Sequence, residues 1–185
     1  SMIKFGSGTQ KPLPFAPPPF RDEILSSWLS RLAASNFVTA DVLLEHLELR
    51  PRPLNHFDRA LKPGEAEAFA HAGRLKVSGV RSMSFADSPR QMEPFISTGS
   101  DFQICRGCSK LWNPATKSFD TITLKHSRHS WVLDCGGCGR PLEYIYSDNG
   151  WDIVYPSRRH KKKARLGAEA LGSAVERGDH RWLNS

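Results

Sequence analysis

Two short cysteine pairs, Cys105-Arg106-Gly107-Cys108 and Cys135-Gly136-Gly137-Cys138, constrain this chain more than anything else in it. Two residues between cysteines let one tight turn aim both sulfurs at a single ion while backbone amides bond back to sulfur. The glycines at 107, 136, 137 and 139 suit such turns. The 26-residue gap between the pairs is wider than the commoner spacing of about 15–20. It has room for two strands and a turn over 118–133. Joined in this way, the knuckles predict a zinc ribbon with Cys105, Cys108, Cys135 and Cys138 as a tetrahedral set. Four thiolates close the coordination sphere, so the expected Zn2+ is structural and leaves no position for water or substrate. Two redox C-x-x-C motifs or free buried thiols are the alternatives, and neither pair opens a helix in a βαβ pattern. His126 and His129 lie between the knuckles as H-x-x-H. Each could replace a cysteine or belong to a second, incomplete site; otherwise they are surface or outer-shell histidines. Trp112 and Trp131 suit the core of a small β domain, with base stacking as the other reading.

A metal staple fits the composition. Only 39% of the 185 residues are hydrophobic, so the chain suits small subdomains of which one needs help to hold together. Residues 2–21, with Pro12, Pro14 and Pro17-Pro18-Pro19, predict an extended proline-rich arm that either drapes over the body or docks on a partner. From 22 to 86 the apolar period is 3.6. Asp22 is the expected N-cap of a helix with Ile24, Leu25, Trp28, Leu29 and Leu32 on one face, stopping at Asn36. Thr39 caps a second helix ending near Arg50-Pro51. A connection of about three residues makes the pair a helical hairpin or a helix-turn-helix. A short helical piece over 55–61, a helix over 65–73 with Gly73 as its C-cap, and another from Ser78 through Met83 complete a helical subdomain.

Residues 87–101 predict a linker, after which the period falls to 2. Strand candidates at 102–104, 118–124, 131–133, 143–146 and 151–155, with a hairpin at Asn149-Gly150, make a β subdomain over 102–156. The expected fold class is therefore α+β: a helix-turn-helix-like subdomain over 22–86, a small zinc ribbon, and a basic tail over 157–185 with room for a short helix.

Charge supports the last part of that division. The formal total is +7, and residues 158–185 hold eight Lys/Arg against three acidic residues, a net +5. Arg158, Arg159, Lys161, Lys162, Lys163 and Arg165 can neutralise phosphates without reading sequence. Sequence preference then falls to a helix of 22–86, with Arg74, Lys76 and Arg81 as candidate contacts. The same charges also suit an anionic surface, a nuclear-import receptor or plain solvated chain. No run reaches the ~18 apolar residues of a membrane span and no signal-peptide core opens the chain, so the cysteines are expected in a reducing cytoplasm.

Residues 14–36 resemble the opening of the TniQ family. Its members begin with a proline-rich arm and a helix of the form E-[SL]-L-x-S-W-L-x-R-L-A-x-x-N, met here by Glu23, Leu25, Ser27, Trp28, Leu29, Arg31, Leu32, Ala33 and Asn36. The C-x-x-C at 105 and the stretch from His129 to Leu142 are similar to the family's zinc segment, with His126 and His129 standing at its Cys-x-x-His. The resemblance spans about 12–145. It implies a role in transposon target selection: binding target DNA or docking on a guide-RNA effector complex, and recruiting the transposon's AAA+ ATPase and transposase. Such proteins are not enzymes. Two other classes compete. One is a zinc-stabilised protein–protein adaptor or transcription regulator without direct DNA readout. The other is a zinc hydrolase or nuclease, against which stand the lack of H-E-x-x-H, of a second carboxylate–histidine cluster and of a nucleophile elbow.

Overall fold

The computed structural model describes residues 12–97, 102–113, 118–129, 132–145 and 158–177. Trp131 and the strand and hairpin expected over 149–155 lie outside the described residues. The chain divides into two compact units. One takes Leu25–Asp87 with the chain up to Arg21, and the other takes Asp22–Ile24 with the chain from Ser88 onward.

Among the described residues, five helices build the first unit: α1 (Leu25–Ser35), α2 (Ala40–His46), α3 (Asn55–Arg59), α4 (Pro63–Gly73) and α5 (Val77–Ser82). The 3.6-residue period puts Leu25, Trp28, Leu29, Leu32 and Ala33 on the buried face of α1. They join one core with Leu43 and Leu44 of α2, Phe57 of α3, Phe69 of α4 and Val80 of α5. Phe57 and Phe69 meet edge to face, with centroids 5.0 Å apart.

Two helix caps depart from expectation. Helix α1 starts at Leu25, and Asp22 does not cap it: its φ of 62° is left-handed, and it belongs to the other unit. The cap comes from α3. Asp58 accepts the Ser26 amide at 2.8 Å and the Ser26 hydroxyl at 2.7 Å, so its buried carboxylate faces the positive end of α1. No local pattern could reveal a cap 32 residues away. Thr39 does cap α2, accepting the Val42 amide, but α2 stops at His46, short of Arg50.

The second departure is at the end of α4, where the left-handed residue is Arg74 (φ 54°), not Gly73. Gly73 is needed for room instead. A Cβ at 73 would lie 2.4 Å from the Trp28 ring. Gly73→Ala is therefore expected to cost about 1–3 kcal/mol in urea unfolding. Gly79→Ala, on α5 in open space, should be neutral or stabilising. Equal stabilities for the two variants would contradict this packing.

The arm covers its own unit. Proline has no amide to give, so the carbonyls of the arm look for donors, and α1 supplies them. Trp28 Nε1 donates to Pro17 O at 2.9 Å, and the Arg31 guanidinium donates to Pro18 O at 2.8 Å while lying over the Phe20 ring. The Asn36 side chain bonds both backbone groups of Phe15. Leu13 is buried, with its amide on Ala72 O and its carbonyl on Arg74. Residues 12–20 thus drape over their own unit, one of the two fates expected for the arm.

Among the described residues, the second unit has four short strands in two antiparallel ladders: β1 (Phe102–Ile104) with β4 (Glu143–Ile145), and β2 (Lys110–Asn113) with β3 (Ser118–Thr121). The strand expected over 118–124 ends at Thr121, and Leu124 instead bridges to Glu23. Residues 132–133 are in no strand. The expected linker holds a short 3-10 helix (Arg90–Phe95) followed by Ile96, which is buried and bridged to His129. A 19-residue helix, α6 (Arg158–Glu176), occupies much of the basic tail.

Candidate metal centre

The β1–β4 ladder explains how cysteines 30 residues apart come together. Strand β1 runs directly into Cys105, and β4 follows the second knuckle after four residues. Antiparallel register pairs Ile104 with Glu143, so both knuckles emerge at one end of the ladder. Arg106 and Glu143 form an ion pair at that same end.

Each knuckle is a hydrogen-bonded turn. In the first, the Ser109 amide donates to Cys105 O at 2.8 Å and the Cys108 amide points at Cys105 Sγ at 3.5 Å. In the second, the Gly139 amide donates to Cys135 O at 2.7 Å and the Gly137 amide to Cys135 Sγ at 3.4 Å. Gly139 has φ 70°, a left-handed backbone that favours glycine.

The four sulfurs lie within 4.8 Å of one another, with Cys105 and Cys138 Sγ 3.5 Å apart. A tetrahedron of sulfurs around zinc, with bonds of about 2.3 Å, has edges of about 3.8 Å, so the set can hold one metal ion and is compatible with zinc. Among the described residues it is the one group of His, Cys, Asp and Glu side chains able to do so. Hydrogen bonding to Cys138, then burial and the other two sulfurs, pushes the Cys108 thiol up to about 12. Burial also opposes ionisation of Cys135, yet the Gly137 and Cys138 amides bring it below the ordinary thiol value. Among the described residues, Cys105 and Cys135 are themselves half of the buried cluster here, with Ile122 and Leu124.

Neither candidate histidine belongs to the four-sulfur set, although His126 lies within hydrogen-bonding reach of Cys135. His126 Nε2 accepts the Gly136 amide at 3.2 Å, and Nδ1 bonds the Asp22 carboxylate. That bond raises the His126 pKa; burial works against the ionised Asp22, but the hydrogen bonds from His126 hold its carboxyl below the usual range. His129 is pushed down to about 4 by burial, which keeps it neutral at pH 7. Asp22 is the partner that sequence reading missed, because its residue type at the head of an apolar period reads as a helix cap.

The basic candidates fall in two places. Positions 158–165 form the first two turns of α6, where Lys162 is exposed and Arg165 pairs with Asp134 at 3.0 Å. In the first unit, Arg74 reaches Leu13 O at 3.0 Å, Arg81 pairs with Asp87, and exposed Lys76 precedes α5. Trp112 lies on β2 opposite Phe119. No helix among the described residues is long and apolar enough to cross a membrane.

A family model described as TniQ matches residues 14–135, about two-thirds of the chain. The match takes in the arm, the helices, the first knuckle and Cys135, and ends before Cys138 and α6. No curated protein and no solved structure matches the chain.

Proposed function

This chain belongs to the TniQ family, and from that premise we propose that it is a non-enzymatic targeting protein of transposition, folded around one structural Zn2+ and binding DNA. The family is associated with transposition and is generally an adaptor. On this reading Cys105, Cys108, Cys135 and Cys138 hold the zinc, which does no chemistry beyond fixing the two knuckles. The transposition AAA+ ATPase and transposase, or a guide-RNA effector complex, are the partners that family membership suggests.

The observation that carries DNA binding is the start of α6. Six Lys/Arg crowd its first eight positions and no acidic residue stands in its first turn. Cations there oppose the helix macrodipole, and a polyanion relieves both the dipole and their mutual repulsion. Arg165 is held by Asp134, and Arg158, Arg159, Lys161, Lys162 and Lys163 are the proposed phosphate contacts. Five contacts, at −0.9 each, give log K against log salt a slope of about −4.5. Removing residues 158–185 should weaken binding to all sequences alike and flatten that slope. Arg74, Lys76 and Arg81 are the proposed contacts of the helical unit; Arg74 and Arg81 must release Leu13 and Asp87 to engage, so Lys76→Ala is the simpler probe of sequence preference. Absence of DNA affinity at low salt would reject this reading. It would favour the adaptor alternative, which has one observation of its own: Phe37 is 90% exposed at a left-handed φ of 57° in the α1–α2 turn.

A further inference from the structure

Both ring nitrogens of His126 are engaged, Nδ1 by Asp22 and Nε2 by the Gly136 amide, with the Cys135 sulfur alongside. An amide donated to Nε2 requires that nitrogen to be bare, so the ring proton sits on Nδ1 and is donated to Asp22. The same Asp22 oxygen also accepts the His126 backbone amide at 3.1 Å. Asp22 is fixed in turn by its own backbone: its carbonyl accepts the Lys125 amide at 2.6 Å, and the Ile24 amide donates to Thr123 O at 2.9 Å, on either side of the Glu23–Leu124 bridge. At the other end, Gly136 lies between Cys135 and Cys138 in the turn that aims both sulfurs, and a Cβ there would touch the imidazole at 3.7 Å.

The geometry points to Asp22 and His126 as positioning residues of the metal centre. The carboxylate fixes the imidazole, the imidazole holds the Gly136 amide, and that amide sets the second knuckle. A residue 104 positions before His126, at the head of the chain's first helix, thus becomes part of the metal site. The inference rests on reading the four sulfurs as a zinc site. Outer-shell partners of this kind typically govern metal affinity by about 10–100-fold.

The test uses the full chain. Zinc affinity is measured by competition with a chromophoric chelator for the native protein, Asp22→Gly, Asp22→Asn and His126→Gln. Glycine and asparagine both tolerate the left-handed backbone of Asp22, so these variants leave the bridge intact. Asp22→Gly and His126→Gln should weaken zinc binding about 10–100-fold, with Asp22→Asn between them and native because it keeps one acceptor. The cobalt-substituted spectrum of His126→Gln should stay that of a four-thiolate site. Affinities within about twofold of native, or cobalt bands that move in His126→Gln, would overturn the assignment. Exchange of the Gly136 amide gives a readout that does not depend on metal. Should the native chain bind no zinc, the metal reading alone fails; faster Gly136 exchange in Asp22→Gly then upholds the clamp, and unchanged exchange overturns it.

Discussion

Stripping the metal with a strong chelator, or replacing Cys135 by serine, is expected to unfold the backbone of residues 102–145 while α1–α5 keep their structure. The reason is the balance of forces in each unit. Among the described residues the buried cluster around the sulfurs is Ile122, Leu124 and two of the cysteines themselves, and a subdomain of this size draws much of its folding free energy from its metal. Structural zinc supplies about 10–16 kcal/mol in small domains of this kind, and most of that is folding free energy. The helical unit owes nothing to the sulfurs: its core of Trp28, Phe57, Phe69 and the α1–α2 leucines lies in another unit of the chain. Amide spectra of chelated protein should lose the dispersed signals of 102–145 and keep those of 25–82. A second unit that stays folded without metal would refute the account of what holds it together.

Trp28→Ala is expected to cost about 3–5 kcal/mol in the helical unit, the usual range for emptying a large aromatic site. Trp28 is fully buried, fills the space left by Gly73 and gives its indole N–H to Pro17 O. Domains are held by about 5–15 kcal/mol in all, so the variant should sit near the edge of folding at 25 °C. Trp28→Phe keeps most of the ring but not the donor, and should lose about 1 kcal/mol together with the anchorage of the arm. Urea unfolding followed through the helical signal measures both. A loss below about 1 kcal/mol for Trp28→Ala would mean that the tryptophan is not the keystone that its position makes it.

Much of the helical unit was readable from periodicity. Leu25, Trp28, Leu29 and Leu32 are buried where a 3.6-residue repeat puts them, and Thr39 caps α2 as a local signal should. The failures share a cause: they depend on residues distant in sequence. Asp58 caps α1 from α3, and Gly73 makes room for a ring on another helix rather than closing its own. Trp28, Arg31 and Asn36 are polar anchors for the arm, a role that a helical wheel cannot distinguish from core or surface.

The cysteine set was legible because two-residue spacing is a local geometric constraint, and the four sulfurs do meet. The histidines were harder. H-x-x-H between knuckles is as compatible with ligation as with support, and only the Asp22 carboxylate and the Gly136 amide on the two ring nitrogens separate the roles. Strand lengths were overestimated between the knuckles. The alternation over 118–124 carries Leu124 in the strand before it, whereas its pairing goes to Glu23, about a hundred residues away.

Native mass spectrometry of the intact chain tests the central claim most directly. The account predicts one zinc ion per chain, displaced when Cys105, Cys108, Cys135 or Cys138 is replaced by serine and retained in His126→Gln at saturating zinc. A chain that carries no metal, that carries two, or that keeps its zinc after loss of both Cys105 and Cys135 would contradict it.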